Sequence, residues 1–298
     1  MRILTYTVTV ADDGRAVRSV VPRRFCLGQH AFRRLKVLGA IRIGGAPVRA
    51  DYVLRAGDII EVRLPSDMAQ ESDAASSAAP AGLPPSFLRY QDEDMLIVSK
   101  GAPLPTLPAR HIASGTLREQ VMRYLGEREP YTFRPVNRLD KGTSGLMLVA
   151  RNAHAQQLAS RMLHTDAFVR EYLAVTQGVP ACPEGVIDAP VARMPGATVR
   201  RCVDAGGQQA RTQYRLLGEA NGRALLRLRL FTGRTHQIRV HLSHIGCPIV
   251  GDYLYGREEE SLPGRFALHS AYVSLTQPVT GERIEIESPL PPALARLI

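Results

Sequence analysis

Tryptophan is absent, lysine occurs only three times, and the four cysteines, Cys26, Cys182, Cys202 and Cys247, lie far apart with no CxxC pair. That cysteine pattern excludes a zinc knuckle or a disulfide scaffold and fits reduced, incidental thiols. No apolar run of about 18 residues is present to form a spanning helix. The N-terminal MRILTYTVTVADDGR reads as a strand and a turn rather than a charged and apolar leader. No repeat period appears, which excludes a solenoid. The expectation is a soluble, cytoplasmic protein with no membrane partner. Arginine outnumbers lysine 35 to 3, which we attribute to base composition. Two of the three lysines, Lys100 and Lys141, fall in motifs described below, where a compact ammonium differs in use from a planar guanidinium.

What is present is strongly basic, with a net charge of +10. Residues 1 to 65 hold 12 basic and 5 acidic side chains, a net of +7, while residues 66 to 86 hold no base and three acids. A small basic region is the electrostatic footprint of a polyanion binder, although basic surfaces also serve solubility. The length of 298 residues admits one large domain with a small companion. Near residue 66 the patterned sequence gives way to SDMAQESDAASSAAPAGLPPS, rich in Ala, Ser and Pro. It reads as a flexible linker. The expected layout is a small domain over 1–65, a linker over 66–86 and a large domain over 87–298.

In the small domain, GQHAFRRLKVLG places Ala31, Phe32, Leu35 and Leu38 on one helical face and the cations Arg33, Arg34 and Lys36 elsewhere. Gly39 stands at the C-cap. A strand AIRI, a Gly44–Gly45 turn, a segment PVR and the alternating strand of GDIIEVRLP follow. Pro22 interrupts the helix expected before this one. A basic helix pair followed by a twisted hairpin resembles the S-four (alpha-L) RNA-binding domain over residues 14 to 64. The resemblance implies that Arg33, Arg34 and Lys36 bind RNA.

The large domain opens with FLRYQDEDMLIVSKGAPLPTLPAR, in which MLIV is a buried strand and Lys100 heads a proline-rich loop. LMLVA and REYLAV read as strands, NAHAQQLASRML as an amphipathic helix begun by Asn152, and RALLRLRLF as an alternating strand. TGRTHQIRVHLSHIG reads as a helix with Thr232 or Thr235 near its cap, Ile238, Leu242 and Ile245 inward and Gly246 at its stop.

Between these elements lies NRLDKGTSG, with Asp140 between Arg138 and Lys141. A phosphate loop needs its lysine after the glycines, and Lys141 precedes them. A GxSxG nucleophile elbow needs one more residue than Gly142 to Gly145 supply, which leaves Ser144 as a turn residue. A metal site is disfavoured, because His241 and His244 have no acid nearby and Arg234 and Arg239 repel a cation. A glycosidase needs two carboxylates across a cleft, and the motif-bearing loops offer only Asp140. A carboxylate flanked by cations is held ionised. It then suits a nucleophile or an ion-pair partner, and these residues alone leave both open, with the ion pair the commoner outcome.

The motifs RLDKGTSGLMLVAR, REYLAVTQG and TGRTHQIRVHLSHIGCPIVGDYLYG, together with YQDEDMLIVSK, resemble those of the RluA-type family of RNA pseudouridine synthases over residues 88 to 275. The resemblance implies an α+β fold: a large mixed, mostly antiparallel sheet with flanking helices and a central cleft, beside the small α/β RNA-binding domain. It implies that Asp140 is the catalytic aspartate, that Tyr172 stacks on the flipped base, and that Arg239 pairs with Asp140. Arg138 and Lys141 would meet RNA as the base leaves its stack, with Arg234 and His236 phosphate-facing or structural. Lys100 would either contact RNA or pack within its loop. The implied partner is ribosomal or transfer RNA, the implied state a monomer, and no metal or cofactor is called for. Two positions depart from the family pattern: Asn137 stands where histidine is usual, and Lys100-Gly101-Ala102-Pro103 replaces lysine, proline, a small residue and glycine.

Overall fold

A computed structural model describes residues 2–64, 83–84, 86–109, 114–127, 132–163 and 165–298. The chain divides into two compact units with the break near residue 71. Most of the expected linker, residues 66–82 and 85, lies outside the described residues. Leu83, inside the expected linker span, is buried, as is Phe87 just beyond it.

The first unit runs β1 (Arg2–Thr7), α1 (Val17–Arg24), α2 (Gln29–Val37), β2 (Ile41–Ile43), β3 (Ala46–Pro47) and β4 (Ile59–Leu64). Its strands form one antiparallel sheet in the order β1-β4-β2-β3. Strand β4 alternates as its sequence does, with Ile60, Val62 and Leu64 buried. Positive φ at Gly39, Gly44, Gly45 and Gly57 confirms the expected turns. Two expectations fail. Pro22 lies inside α1 rather than breaking it, because Val17, Val20 and Val21 are fully buried and hold the short helix in place. Leu38 is exposed, because the helix ends at Val37 and the chain turns away from the buried face.

The second unit runs β5 (Leu88–Gln91), β6 (Met95–Lys100), α3 (Leu117–Tyr124), β7 (Arg134–Pro135), β8 (Ser144–Ala150), α4 (Ala153–Met162), β9 (Phe168–Gln177) and β10 (Glu184–Asp188). It continues with β11 (Val191–Arg193), β12 (Arg201–Val203), β13 (Arg211–Ala220), β14 (Arg223–Leu230), α5 (Gln237–His244), β15 (Leu268–Thr276), β16 (Arg283–Glu287) and α6 (Pro292–Ala295). A ten-stranded sheet orders β10-β13-β14-β9-β15-β8-β6-β5, with β16 added to β15 and β7 to β8. All pairings are antiparallel except β15 with β8. The fold is therefore α+β, built on a mixed, mostly antiparallel sheet, as expected.

Strand β8 is buried at every position, which is why its sequence reads as a continuous apolar run rather than an alternation. Leu146 and Leu148 on this strand pack with Met95, Ile97, Phe168, Val273 and the α4 residues Ala155 and Ala159. Beside it, Gly145 has φ +110° and pairs with Ser270 of β15. A Cβ there would stand 2.2 Å from the Ser270 carbonyl oxygen and 2.6 Å from its nitrogen. No side chain fits between two backbones that close. Gly145→Ala should therefore destabilise the protein by about 3 kcal/mol or more, measured as a loss in urea denaturation. A change below about 1 kcal/mol would show that the two strands can part.

Candidate active site in the cleft beside the central strands

Asp140 sits on the loop that feeds β8, and that loop is held through its backbone. Thr106 Oγ1 donates to the Leu139 carbonyl at 2.9 Å, and the Thr143 N–H donates to the Asp140 carbonyl at 3.1 Å. The Lys141 carbonyl accepts from the Leu104 N–H at 2.9 Å and from Lys100 Nζ at 3.3 Å. With its carbonyls tied on both sides, the carboxylate of Asp140 is aimed by the fold; its side chain is 31% exposed. A Cβ on Gly142, next in the loop, would meet the Phe266 ring at 2.6 Å.

Arg239, on α5 and 2% exposed, reaches Asp140 with Nη1 at 3.1 Å. Its other edge is taken by Asp252, a fully buried carboxylate that accepts from Nε at 2.7 Å and Nη2 at 2.8 Å. Asp252 also accepts the N–H groups of Leu254 and Tyr255. The guanidinium lies over the Phe266 ring at 4.2 Å and faces Tyr255 at 5.0 Å. Burial by itself works against the Arg239 charge, but the bonds from Asp252 and the charge of Asp140 outweigh it and raise its pKa.

His236 precedes α5 in the left-handed region, with φ 59°. It takes the capping position that the sequence assigned to Thr232 or Thr235. Thr232 Oγ1 and the Arg234 N–H instead donate to Gln237 Oε1 at 2.8 and 2.9 Å. Gln237 Nε2 in turn donates to the Arg211 carbonyl and Thr212 Oγ1, which fastens the turn to the sheet. The expected helix is otherwise present: Ile238 and Leu242 are buried, Ile245 is half-buried, and Gly246 ends it with φ 78°. His236 Nε2 lies 3.9 Å from Asp140 Oδ2, and Nδ1 lies 2.9 Å from the Tyr255 hydroxyl. Burial lowers the His236 pKa, with the charge of Asp140 opposing that shift.

Tyr172 comes from β9, 4% exposed, and burial raises its pKa. Asp140, Tyr172, Arg239, Arg138, Arg234 and His236 all line one cleft of about 680 Å³. Arg138 is exposed, and Arg234 spends Nε on the Gln209 carbonyl at 3.0 Å. Lys141 is exposed outside the cleft lining, and Arg33, Arg34 and Lys36 are exposed on α2 of the first unit. Asn137 Oδ1 accepts the Leu148 N–H at 2.9 Å, so this amide pins the start of the motif to β8.

Ser144, expected as a turn residue, needs correction, and Lys100 and Asp252 find their places. Of the two roles expected of Lys100, the contacts are those of packing: it is 1% exposed and donates to the carbonyls of Gly101, Leu104 and Lys141, which clamps the Asp140 loop. Ser144 is a buried strand residue whose Oγ lies 2.9 Å from His269 Nδ1. Asp252 of GDYLYG joins Asp140 on Arg239, but it is fully buried and outside the cleft lining, so among the described residues Asp140 is the carboxylate that lines the cleft. Asp252 went unassigned because nothing local in GDYLYG separates an ion-pair partner from a turn aspartate. Among the described residues, no group of three His, Cys, Asp or Glu is placed to hold a metal ion, and no helix is long and apolar enough to cross a membrane.

A family model described as RNA pseudouridylate synthase matches residues 94–244, which hold Asp140, Tyr172 and Arg239. The uncharacterized RNA pseudouridine synthase YjbO of Bacillus subtilis (strain 168) is 35% identical over 87% of this chain and 90% of its own. Ribosomal large subunit pseudouridine synthase D of Escherichia coli (strain K12) is 35% identical over 70% of this chain and 68% of that protein. The solved structure of human RNA pseudouridylate synthase domain containing 1 superposes with a TM-score of 0.57, at 29% identity, covering 70% of this chain and 85% of that one. This is an RNA-modifying isomerase. The chain belongs to the RNA pseudouridylate synthase family, on its RluA-type branch.

Burial pulls the Lys100 pKa from 10.5 to about 7, against the pull of the Asp140 charge. Between those values the unfolded chain holds a proton that the folded chain gives up, so stability rises with pH across the window. Below it both states are protonated and the full burial penalty stands. Relative to Lys100→Met, the wild type should gain up to about 2 kcal/mol between about pH 7.5 and about pH 9.5, read by urea denaturation. Equal slopes for the two proteins would mean that the three carbonyls keep the ammonium charged throughout.

Proposed function

We propose that this protein converts uridine to pseudouridine in large-subunit ribosomal RNA, with Asp140 as the carboxylate that acts on the target nucleotide. The observation that carries this reading is the pairing of a partly open Asp140 with a fully neutralised Arg239 beside Tyr172 in one cleft. The bond from N1 to C1′ breaks, uracil turns in the closed site, and C5 bonds to C1′. C5 loses its proton and N1 gains one, so atoms and charge balance without a redox partner. Each step needs a carboxylate at the sugar or base and an apolar wall that keeps the detached uracil from escaping. Asp140 supplies the first, and Tyr172 with Leu230 and Leu268 supplies the second. Among the described residues that line the cleft, Asp140 is the only carboxylate. The relatives named for the large ribosomal subunit support the choice of RNA. In this reading the enzyme works as a cytoplasmic monomer.

Tritium release from uridine C5 tests this, using transcribed large-subunit ribosomal RNA and transfer RNA free of modification. Wild type should release tritium from the ribosomal RNA, and Asp140→Asn should slow release on the order of 10³-fold or more. Asp252→Asn should slow it about 10- to 100-fold by letting Arg239 drift, with RNA affinity unchanged. Release from transfer RNA alone would overturn the substrate, and release by Asp140→Asn at the wild-type rate would overturn the catalytic assignment.

The first unit is, in this reading, an S-four-like RNA-binding domain over residues 1–65, joined by the 66–86 segment to the catalytic domain over 87–298. Its two helices, set between β1 and the strands β2 to β4 of a small antiparallel sheet, and the exposed Arg33, Arg34 and Lys36 on α2, support it. Such a unit raises the local concentration of the enzyme on RNA and leaves turnover alone. Replacing these three cations together with alanine should weaken RNA binding about tenfold and flatten its salt dependence, with kcat unchanged. Unaltered binding in filter assays across a salt series would remove α2 from the RNA surface.

A further inference from the structure

The cleft contains a second buried guanidinium besides Arg239, and its electrostatic situation is the opposite. Arg170 lies two residues before Tyr172 on β9, so the two side chains leave the same face of the sheet. It is 5% exposed and lines the cleft with Asp140 and Tyr172. Its Nη2 donates to the Leu163 carbonyl at 3.2 Å, and its Cζ stands 5.4 Å from the Phe168 ring. Its Nε is buried with no hydrogen-bond partner. Among the described residues no carboxylate pairs with it, whereas Arg239 is shared by two. Its charge reaches Tyr172, where it opposes the rise in pKa that burial causes.

A buried cation without a counter-ion is unfavourable in the empty protein and becomes favourable when an anion enters the site. The substrate of this family is a polyanion, and a nucleotide flipped into the cleft carries its flanking phosphates with it. We propose that Arg170 is the phosphate anchor of the target nucleotide. Its planar fork matches a phosphodiester, and Nε with an Nη forms the edge that binds two oxygens at once. A uracil carbonyl could fill one of these bonds but would leave the charge unneutralised. Two residues along a strand span about 7 Å, so a phosphate on Arg170 and a base against Tyr172 are set apart on the scale of one nucleotide. On this basis, Arg170 sets how deep the nucleotide sits before Asp140 acts on it. The inference rests on the RNA-modifying reading given above.

The test uses the full-length protein as wild type, Arg170→Met and Arg170→Lys on a ribosomal RNA fragment that contains the uridine the wild type converts. Each linkage flanking that uridine is made, in turn, as the natural phosphate or as a neutral methylphosphonate. Arg170→Met should raise KM about 10- to 100-fold, the scale of one charged hydrogen-bonded contact, with kcat within about threefold and an unchanged melting temperature. One of the two methylphosphonates should raise the wild-type KM by a similar factor and should not weaken Arg170→Met further, while Arg170→Lys should fall between. If both proteins lose the same factor with every methylphosphonate, the anchor is overturned. It is also overturned if Arg170→Met lowers the melting temperature and kcat with no change in KM, which is the result expected of a strut for the Leu163 carbonyl. No conversion by the wild type on any RNA would instead overturn the enzymatic reading, and the anchor with it.

Discussion

The guanidinium of Arg239 is the charge around which the site is organised. Held in the interior beneath the Phe266 ring, it must be neutralised there, and Asp252 does this through Nε and Nη2. That pairing leaves Nη1 aimed at Asp140. One guanidinium thereby links two carboxylates in different surroundings. Asp252 is fully buried and occupied by backbone N–H groups, so it is an anchor. Asp140 is partly open to the cleft, so it is the one a nucleotide can reach. Removing either partner of such a pair strands a buried charge, typically at about 3–5 kcal/mol, which makes the arrangement stiff as well as polar.

The same stiffness is imposed on the Asp140 loop from the sheet. Lys100 from the end of β6 and Thr106 from the following segment hold the carbonyls on either side of Asp140, and Asn137 holds the Leu148 N–H of β8. The bare Cα of Gly145 lets β8 pass against β15 at a distance no side chain would allow. Tyr172 and Leu268 come from β9 and β15, the strands next in order, so neighbouring central strands deliver the apolar lining of the cleft that holds Asp140. A carboxylate mounted this way needs little reorganisation when charge develops on the substrate, which is where an enzyme of this kind finds its rate.

Much of this architecture can be traced in the sequence. The apolar run LMLVA becomes a strand buried on both faces, IIEVRL alternates as its burial does, and the glycines after α2 and α5 stop those helices with positive φ. Asp140, Tyr172 and Arg239, suggested by motif resemblance, do line one cleft. For Lys100 the sequence left an RNA contact and a packing role both open, because a lysine heading a proline-rich loop has the composition of an exposed residue; the three carbonyls converging on Nζ make it internal. The helix cap misled for a related reason. Threonines at 232 and 235 satisfy local capping preference, but Gln237 ties this turn to Thr212 and Arg211 of a distant strand and leaves His236 at the junction. Where nearest neighbours decided the outcome, reading them sufficed; where a partner came from across the sheet, it did not.

By itself the sequence determined the elements, their order and the residue types available for chemistry, because periodicity, turn glycines and local charge act over a few positions. The tertiary structure alone decided which of many arginines stands between two carboxylates and which stands without one. Arg239 and Asp140 are 99 residues apart in the chain. They meet because β8 lies beside β15 and α5 packs where the loop before β8 ends. Arg170 is isolated by the same packing, which buries it in the cleft wall beyond the reach of any described carboxylate. Burial and pairing are properties of three-dimensional neighbours, and they turn an ordinary aspartate and two ordinary arginines into a site.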